Sequence, residues 1–339
     1  TRLAGVTGVQ TCALPTLQGE IHSGLVNLGL GSLLIPEEFG GLGLDLLFAT
    51  AVSQSLGGGI APIAFTGSYI MAPLAIIFGG NQIQKERYLT QISKNSIRIG
   101  VGFSQYIGAR DNSTIEMNSN KISGRSLFVL DAKDATHLML SDANGVIGLV
   151  SKNSSGIEIV ELTTVDKTRS YSEVILNNVD VDVLEQTTSS NDAINKAVDG
   201  GRIILAADSI GASQRLIDKA VAYSKERKQF GRVIGSFQAV KHMCAEMAAD
   251  LEPCYSLVWH AAYCFDNSPD EARLMACHAK SHVSEISKMI AKKATEVHGG
   301  MGFTDLMGLH YWFKRIGVNR HTLGAPELIR EEAANIQNF

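Results

Sequence analysis

Two stretches of this chain hold residues suited to a phosphorylated ligand. Arg227, Phe230, Gly231, Ile234, Phe237 and Gln238 spell R-x2-F-G-x2-I-x2-F-Q between two helical patterns, and residues 298–303 read HGGMGF directly after a third. A guanidinium offers a phosphate two parallel hydrogen bonds. Glycines at 299, 300 and 302 let backbone N–H groups come close to a diphosphate. A glycine cluster after a helix also serves as a plain C-cap, so each motif alone says little, and the ordered pair says more. Other chemistries find less support. No G-x-S-x-G context exists for a serine nucleophile. His278 and His282 stand at i, i+4 beside Cys277, but no further ligand is suitably spaced, so they read as a polar helix face and no metal is expected.

The elements that must position these residues follow from the rest of the pattern. Hydrophobic residues are 45% and charged residues 19% of 339, which supplies a core and excludes a disordered chain. A net charge of -4 argues against a nucleic-acid or anionic-membrane surface. No apolar run of about 18 residues appears, so no membrane span is expected. Cys12, Cys244, Cys254, Cys264 and Cys277 lack CxxC spacing, which fits a reduced, cytoplasmic setting. Residues 6–15, VTGVQTCALP, resemble the translation of a sequencing-library primer. Residues 1–15 are therefore expected to be an adapter artefact in a metagenomic fragment whose native N-terminal segment is missing.

From there the chain reads in three parts. Leu17, Ile21, Leu25 and Leu28 open a helical part over 16–100, with further helices at 46–56, 72–78 and 82–92. Residues 101–183 hold short apolar runs separated by Asn, Asp, Gly and Ser, the pattern of a small antiparallel β domain. Residues 190–339 return to long amphipathic helices at 200–225, 238–265 and 271–297, as in a bundle. Pro253 predicts a kink or break in the second of them. The fold class is α+β: helical domain, β domain, four-helix bundle.

With those motifs in place, the sequence resembles the acyl-CoA dehydrogenase family of flavoproteins over residues 17–315. PEEFGGLG at 36–43 looks like the family's N-terminal signature, and KISGRSLFV at 121–129 is similar to its β segment beside the flavin. Residues 202–238 resemble its first bundle helix and flavin-binding turn. HGGMGFT, with Leu309-His310 and Lys314-Arg315, is similar to a bacterial branch that includes heteromers acting on steroid or other bulky acyl-CoA thioesters. The resemblance implies FAD, α,β-desaturation of an acyl-CoA, an electron-transfer flavoprotein as acceptor, and a homo- or heterotetramer. It implies that Arg227 and Gln238 meet the FAD of a neighbouring subunit and that Phe230 packs near its adenosine half. By the same resemblance Gly299, Gly300 and Gly302 line the diphosphate, Ser104 faces the pyrimidine edge, and Phe128 stands against the isoalloxazine. Phe128 also reads as an ordinary strand aromatic.

The resemblance fails where the base belongs. The family carries a catalytic Glu at one of two places, which fall here on Gly201 and Leu323. Neither side chain removes a proton. The substitutes are Asp208, about two helical turns after Gly201; Glu327, four residues after Leu323; Asp199, on another face; or a group on a partner chain. Glu296 replaces the usual Gln, and Gln105-Tyr106 replaces Glu-Pro after Ser104. Two functions remain open: a desaturating subunit, or a non-catalytic subunit that completes a partner's FAD site. A plain helical binding module leaves the paired motifs unexplained.

Overall fold

The computed structural model describes residues 23–108, 114–118 and 120–339. The expectations for residues 1–15, Leu17 and Ile21 lie outside them. The chain divides into two compact units, one of residues 19–49 and 63–201, the other including 50–62 and 202–339. Among the described residues no helix is long and apolar enough to cross a membrane.

The first unit combines short helices with one mixed sheet. The 36–43 signature folds as a tight turn: Gly41 N–H donates to the Pro36 carbonyl, and Phe39 is buried. Helix α1 (Leu46–Gly59) starts here and runs on through its three glycines into the second unit. Residues Phe65–Met71, buried throughout, form a π-helix that the sequence pattern did not reveal. It continues into α2 (Ala72–Gly79). Helix α3 (Gln82–Ser93) begins on a reciprocal cap, in which Asn81 and Gln84 each accept the other's backbone N–H.

The strands are β1 (Ile99–Gly102), β2 (Glu116–Asn118), β3 (Lys121–Leu130), β4 (His137–Ser141), β5 (Ile147–Ser151), β6 (Ile157–Leu162), β7 (Tyr171–Asp180) and β8 (Asp182–Val183). Their order is β6-β7-β3-β1-β4-β5-β8, with β2 also paired to β3. All described pairs are antiparallel except β1 with β4, which run parallel. The long connection between those two strands, through β2 and β3, is what permits a parallel return. Ile122, Val129, Leu138, Leu140, Val150, Val174 and Val179 build the sheet's core. After β1 the chain turns into the short helix α4 (Ser104–Ile107).

The second unit is helical. Helix α5 (Asp192–Glu226) enters it at Arg202. It is followed by a hairpin of β9 (Lys228–Gln229) and β10 (Arg232–Val233), then α6 (Gln238–Asn267), α7 (Pro269–His298), α8 (Leu309–His321) and α9 (Pro326–Ile336). Helix α6 runs unbroken past Pro253, whose ring is on the exposed side. Helix α7 begins with Pro269 and the acidic pair Asp270 and Glu271, as its N-terminal dipole favours. Its buried face is mostly Ala and Ser, and α9 packs on it through Ile329 and Ala333 against Cys277. Helices α1 and α5 touch backbone to backbone: a Cβ on Gly57 would fall on the Asp208 carbonyl, and one on Gly211 on the Gln54 carbonyl.

Candidate functional site

In the second unit the two ligand-type motifs occupy neighbouring helix ends. The last turns of α5 and α7 meet where Tyr223 stacks on His298, with centroids 4.5 Å apart and planes 24° apart. Arg227 N–H donates to the Tyr223 carbonyl, and Ile234 N–H closes the turn onto the Arg227 carbonyl. Arg227 is exposed, as are Phe230 and Gln238, the latter opening α6. Phe230 is 92% exposed and meets Phe237 edge to face, and the Arg232 guanidinium lies over the Phe237 ring at 4.0 Å.

His298 is buried, and its Nδ1 lies 2.7 Å from the Ala294 carbonyl oxygen. Its Nε2 is also buried and has no hydrogen-bond partner among the described residues. Burial, with Lys219 nearby, holds its pKa below the usual histidine range. Gly299 has φ 58° and ψ −142°, a conformation reserved for glycine, and among the described residues nothing lies within 4 Å of where a Cβ would stand on Gly299 or Gly300. Gly302 is glycine for another reason: a Cβ there would meet the Thr295 carbonyl oxygen at 2.7 Å. Phe303 and Leu306 beyond it are 82% and 85% exposed. An open, left-handed glycine turn beside an orphaned imidazole nitrogen, with a cationic turn on the adjoining helix end, fits a bulky phosphate-bearing cofactor. Glu296 points to solvent, which removes the repulsion its charge would otherwise bring.

In the first unit, β1 pairs β3 at Val101 and Leu130. A Cβ on Gly102 would lie 2.7 Å from Ser126 Oγ and 2.8 Å from Val129 Cγ2. The end of β1, leading to Ser104, therefore runs against the bulge of β3 that carries Phe128. Ser104 is buried at the start of α4, whereas Phe128 is 39% exposed at φ 54°. A large residue held in the left-handed region is uncommon, and here the bulge turns its ring out of the sheet's core. Gln105 and Tyr106 take structural parts: Gln105 Oε1 accepts the Ile115 N–H at 2.7 Å, and Tyr106 donates to Asn195 at 2.7 Å.

Two of the substitute bases, Asp208 and Glu327, are held by cationic partners. Asp208 is 1% exposed, with Oδ2 3.1 Å from Arg315 Nη1 and Oδ1 2.6 Å from Asn319 Nδ2. Arg315 is fully buried and also donates to the Ala61 carbonyl at 3.2 Å. Glu327 sits exposed in the first turn of α9, 2.8 Å from Arg320. Its own backbone N–H and the Arg320 guanidinium hold its carboxyl below the usual range. Asp199 is buried, as are Gly201 and Leu323. Leu323 lies between α8 and α9 at φ 60°, and its carbonyl accepts from Nε of Arg202, the residue after Gly201, at 3.1 Å.

Sequence reasoning passed over Arg202. It is 1% exposed and bonds Glu332 at 2.8 Å through Nη2, while Arg273 reaches the other Glu332 oxygen at 2.5 Å. Burial pushes the Glu332 carboxyl up, but the two guanidiniums outweigh it and leave it below its ordinary value. Burial beside Arg202 and Arg320 holds Lys280 well below the usual lysine range. Nothing in a residue count separates such buried cations from surface ones.

Comparison with known families places the chain. Residues 13–96 match the model of the acyl-CoA dehydrogenase N-terminal domain, and residues 192–336 that of the C-terminal domain. The chain is 28% identical to the CarC subunit of the caffeyl-CoA reductase-Etf complex of Acetobacterium woodii, over 84% of this chain and 80% of that protein. It is 28% identical to the acyl-CoA dehydrogenase IpdE2 of Mycolicibacterium smegmatis, over 90% and 84%. The solved steroid ACAD variant Tcur3481-Tcur3483 superimposes with a TM-score of 0.83 at 25% identity, covering 95% of this chain and 88% of that one.

Proposed function

We propose that this chain, which belongs to the acyl-CoA dehydrogenase family and is an oxidoreductase of that family, binds FAD and acts on the α,β carbon–carbon bond of an acyl-CoA thioester. Bound FAD would supply the two-electron redox chemistry, which no side chain performs. The chain's own residues bind and orient. Arg227 neutralises phosphate charge, and Gly299, Gly300 and Gly302 give the diphosphate access to backbone N–H groups. Arg227 and Gln238 would meet the FAD of a neighbouring subunit, with Phe230 near its adenosine half. On the first unit, Ser104 would offer its hydroxyl to the pyrimidine edge of a bound flavin, and the turned-out Phe128 ring would flank an isoalloxazine. The observation that carries this reading is the Tyr223–His298 stack, which sets the arginine turn beside the glycine turn.

The exposed Phe230, Phe303 and Leu306 support an assembly, homo- or heterotetrameric, in which a neighbouring subunit covers them. The reductase–Etf relative supports an electron-transfer flavoprotein as redox partner, and the steroid enzyme supports a bulky acyl group. We place the protein in the cytoplasm.

A second reading has its own observation. Gly201 and Leu323 carry no carboxyl, and Asp208 spends both oxygens on buried partners. The proton-abstracting base is then on a partner chain, or the subunit is non-catalytic and completes the partner's FAD site.

The test is the visible spectrum of the full chain, purified alone, before and after anaerobic addition of an acyl-CoA panel. Bound flavin that bleaches supports self-sufficient desaturation. Bound flavin that stays oxidised, and bleaches only after co-expression with a second family member, supports the subunit reading. Flavin in neither preparation overturns both.

A further inference from the structure

One cluster lies apart from these motifs along the chain. His260 and Cys264 lie one turn apart near the end of α6, and Glu271 lies in the first turn of α7. Their ligand atoms all fall within 4.8 Å of one another. Cys264 Sγ is 3.5 Å from His260 Nε2 and 3.9 Å from Glu271 Oε2. Cys264 is 1% exposed, while the other two side chains are exposed.

We propose that His260, Cys264 and Glu271 form a binding site for a divalent zinc ion that clips α6 to α7 at their shared turn. The ligand types suit zinc: thiolate, imidazole and carboxylate are its common donors. The geometry suits it as well. With bonds of about 2.3 Å to sulfur and 2.0–2.2 Å to nitrogen and oxygen, a tetrahedral ion places sulfur about 3.5 Å from nitrogen and about 3.6 Å from oxygen. The first separation is already present, and a small rotation of the exposed Glu271 side chain supplies the second. An i, i+4 pair on one helix face holds two ligands at fixed spacing. The third comes from the next helix across the turn at Ser268, so the ion would join two elements. Water takes the fourth position, as in three-ligand sites. Binding replaces the Cys264 thiol proton, which leaves to solvent. Spacing singles out His278 and His282, one helix later, because it does not show that Glu271 meets Cys264.

The test uses the full chain with its flavin. After chelation and removal of the chelator, zinc binding is followed by competition with a chromophoric indicator, and proton release by calorimetry in two buffers. The expected result is one equivalent of zinc per chain, with about one proton released, and a higher melting temperature. Cys264→Ser and His260→Ala should each weaken binding at least tenfold and abolish the thermal shift. His260→Ala changes an exposed residue, so it guards against a folding defect at buried Cys264. His278→Ala with His282→Ala should bind as the unmodified chain does. Zinc affinity unchanged in both Cys264→Ser and His260→Ala, or lost in the His278/His282 variant alone, overturns the assignment.

Discussion

Replacing Asp208 by Asn separates a structural carboxylate from a catalytic one. In the structure its two oxygens serve two donors, Arg315 and Asn319, in a place closed to water. Asparagine has one acceptor oxygen for those two donors, so its NH2 must face either the guanidinium or the Asn319 amide. The Arg315 charge, fully buried, then loses its counter-charge. Breaking a buried ion pair from one side costs about 3–5 kcal/mol. At about 2–4 °C per kcal/mol for domains of this order, the melting temperature should fall by about 6–20 °C. The double variant Asp208→Asn/Arg315→Met removes the orphaned charge and should recover a large part of that loss. The assay is thermal unfolding followed by near-UV circular dichroism, with flavin content and substrate bleaching measured on the same samples at low temperature. A variant that melts like the parent yet no longer bleaches with acyl-CoA would refute the structural reading and make Asp208 the base.

Arg227→Ala should loosen the flavin by about 1.5–3 kcal/mol, the worth of a hydrogen bond to a charged group, without lowering the melting temperature of the apoprotein; retained flavin after dialysis counts against the assignment. Gly302→Ala pushes a methyl group into the Thr295 carbonyl, an overpacking cost of about 1–3 kcal/mol, and its effect should appear as weaker flavin retention beside a modest thermal loss. Glu332 has its folded pKa depressed below the ordinary 4.5, so its contribution is complete above that value and vanishes as pH falls through the lower folded value. Glu332→Gln should therefore destabilise the chain at neutral pH and flatten the acid limb of its stability curve between those two values; an unchanged acid limb shows that the Arg202 pairing contributes nothing.

The order of helical part, sheet and helical part was legible because periods of 3.6 and 2 differ over long stretches. The ends were less so. Helix α6 passes Pro253 because the exposed face tolerates the missing backbone bond, which no local rule reveals. The π-helix at Phe65–Met71 hides in a run without a clear apolar stripe, since every residue of it is buried. At the candidate site, the arginine and glycine turns were readable from residue type and spacing. The Tyr223–His298 stack that sets them side by side was not, because it joins residues from helices distant in sequence. The engagement of Asp208 was invisible for the same reason: its partners lie more than a hundred positions away.

The contact between α1 and α5 limits how this sequence can drift. Gly57 and Gly211 each accommodate a main-chain carbonyl of the opposite helix, so neither obstacle can be trimmed by changing a side chain. No compensating substitution on the facing helix makes room for a methyl group at either position, because every residue carries the same carbonyl. Descendants of this gene that vary freely on the surfaces of both helices are expected to keep both glycines, or to separate the two helices altogether.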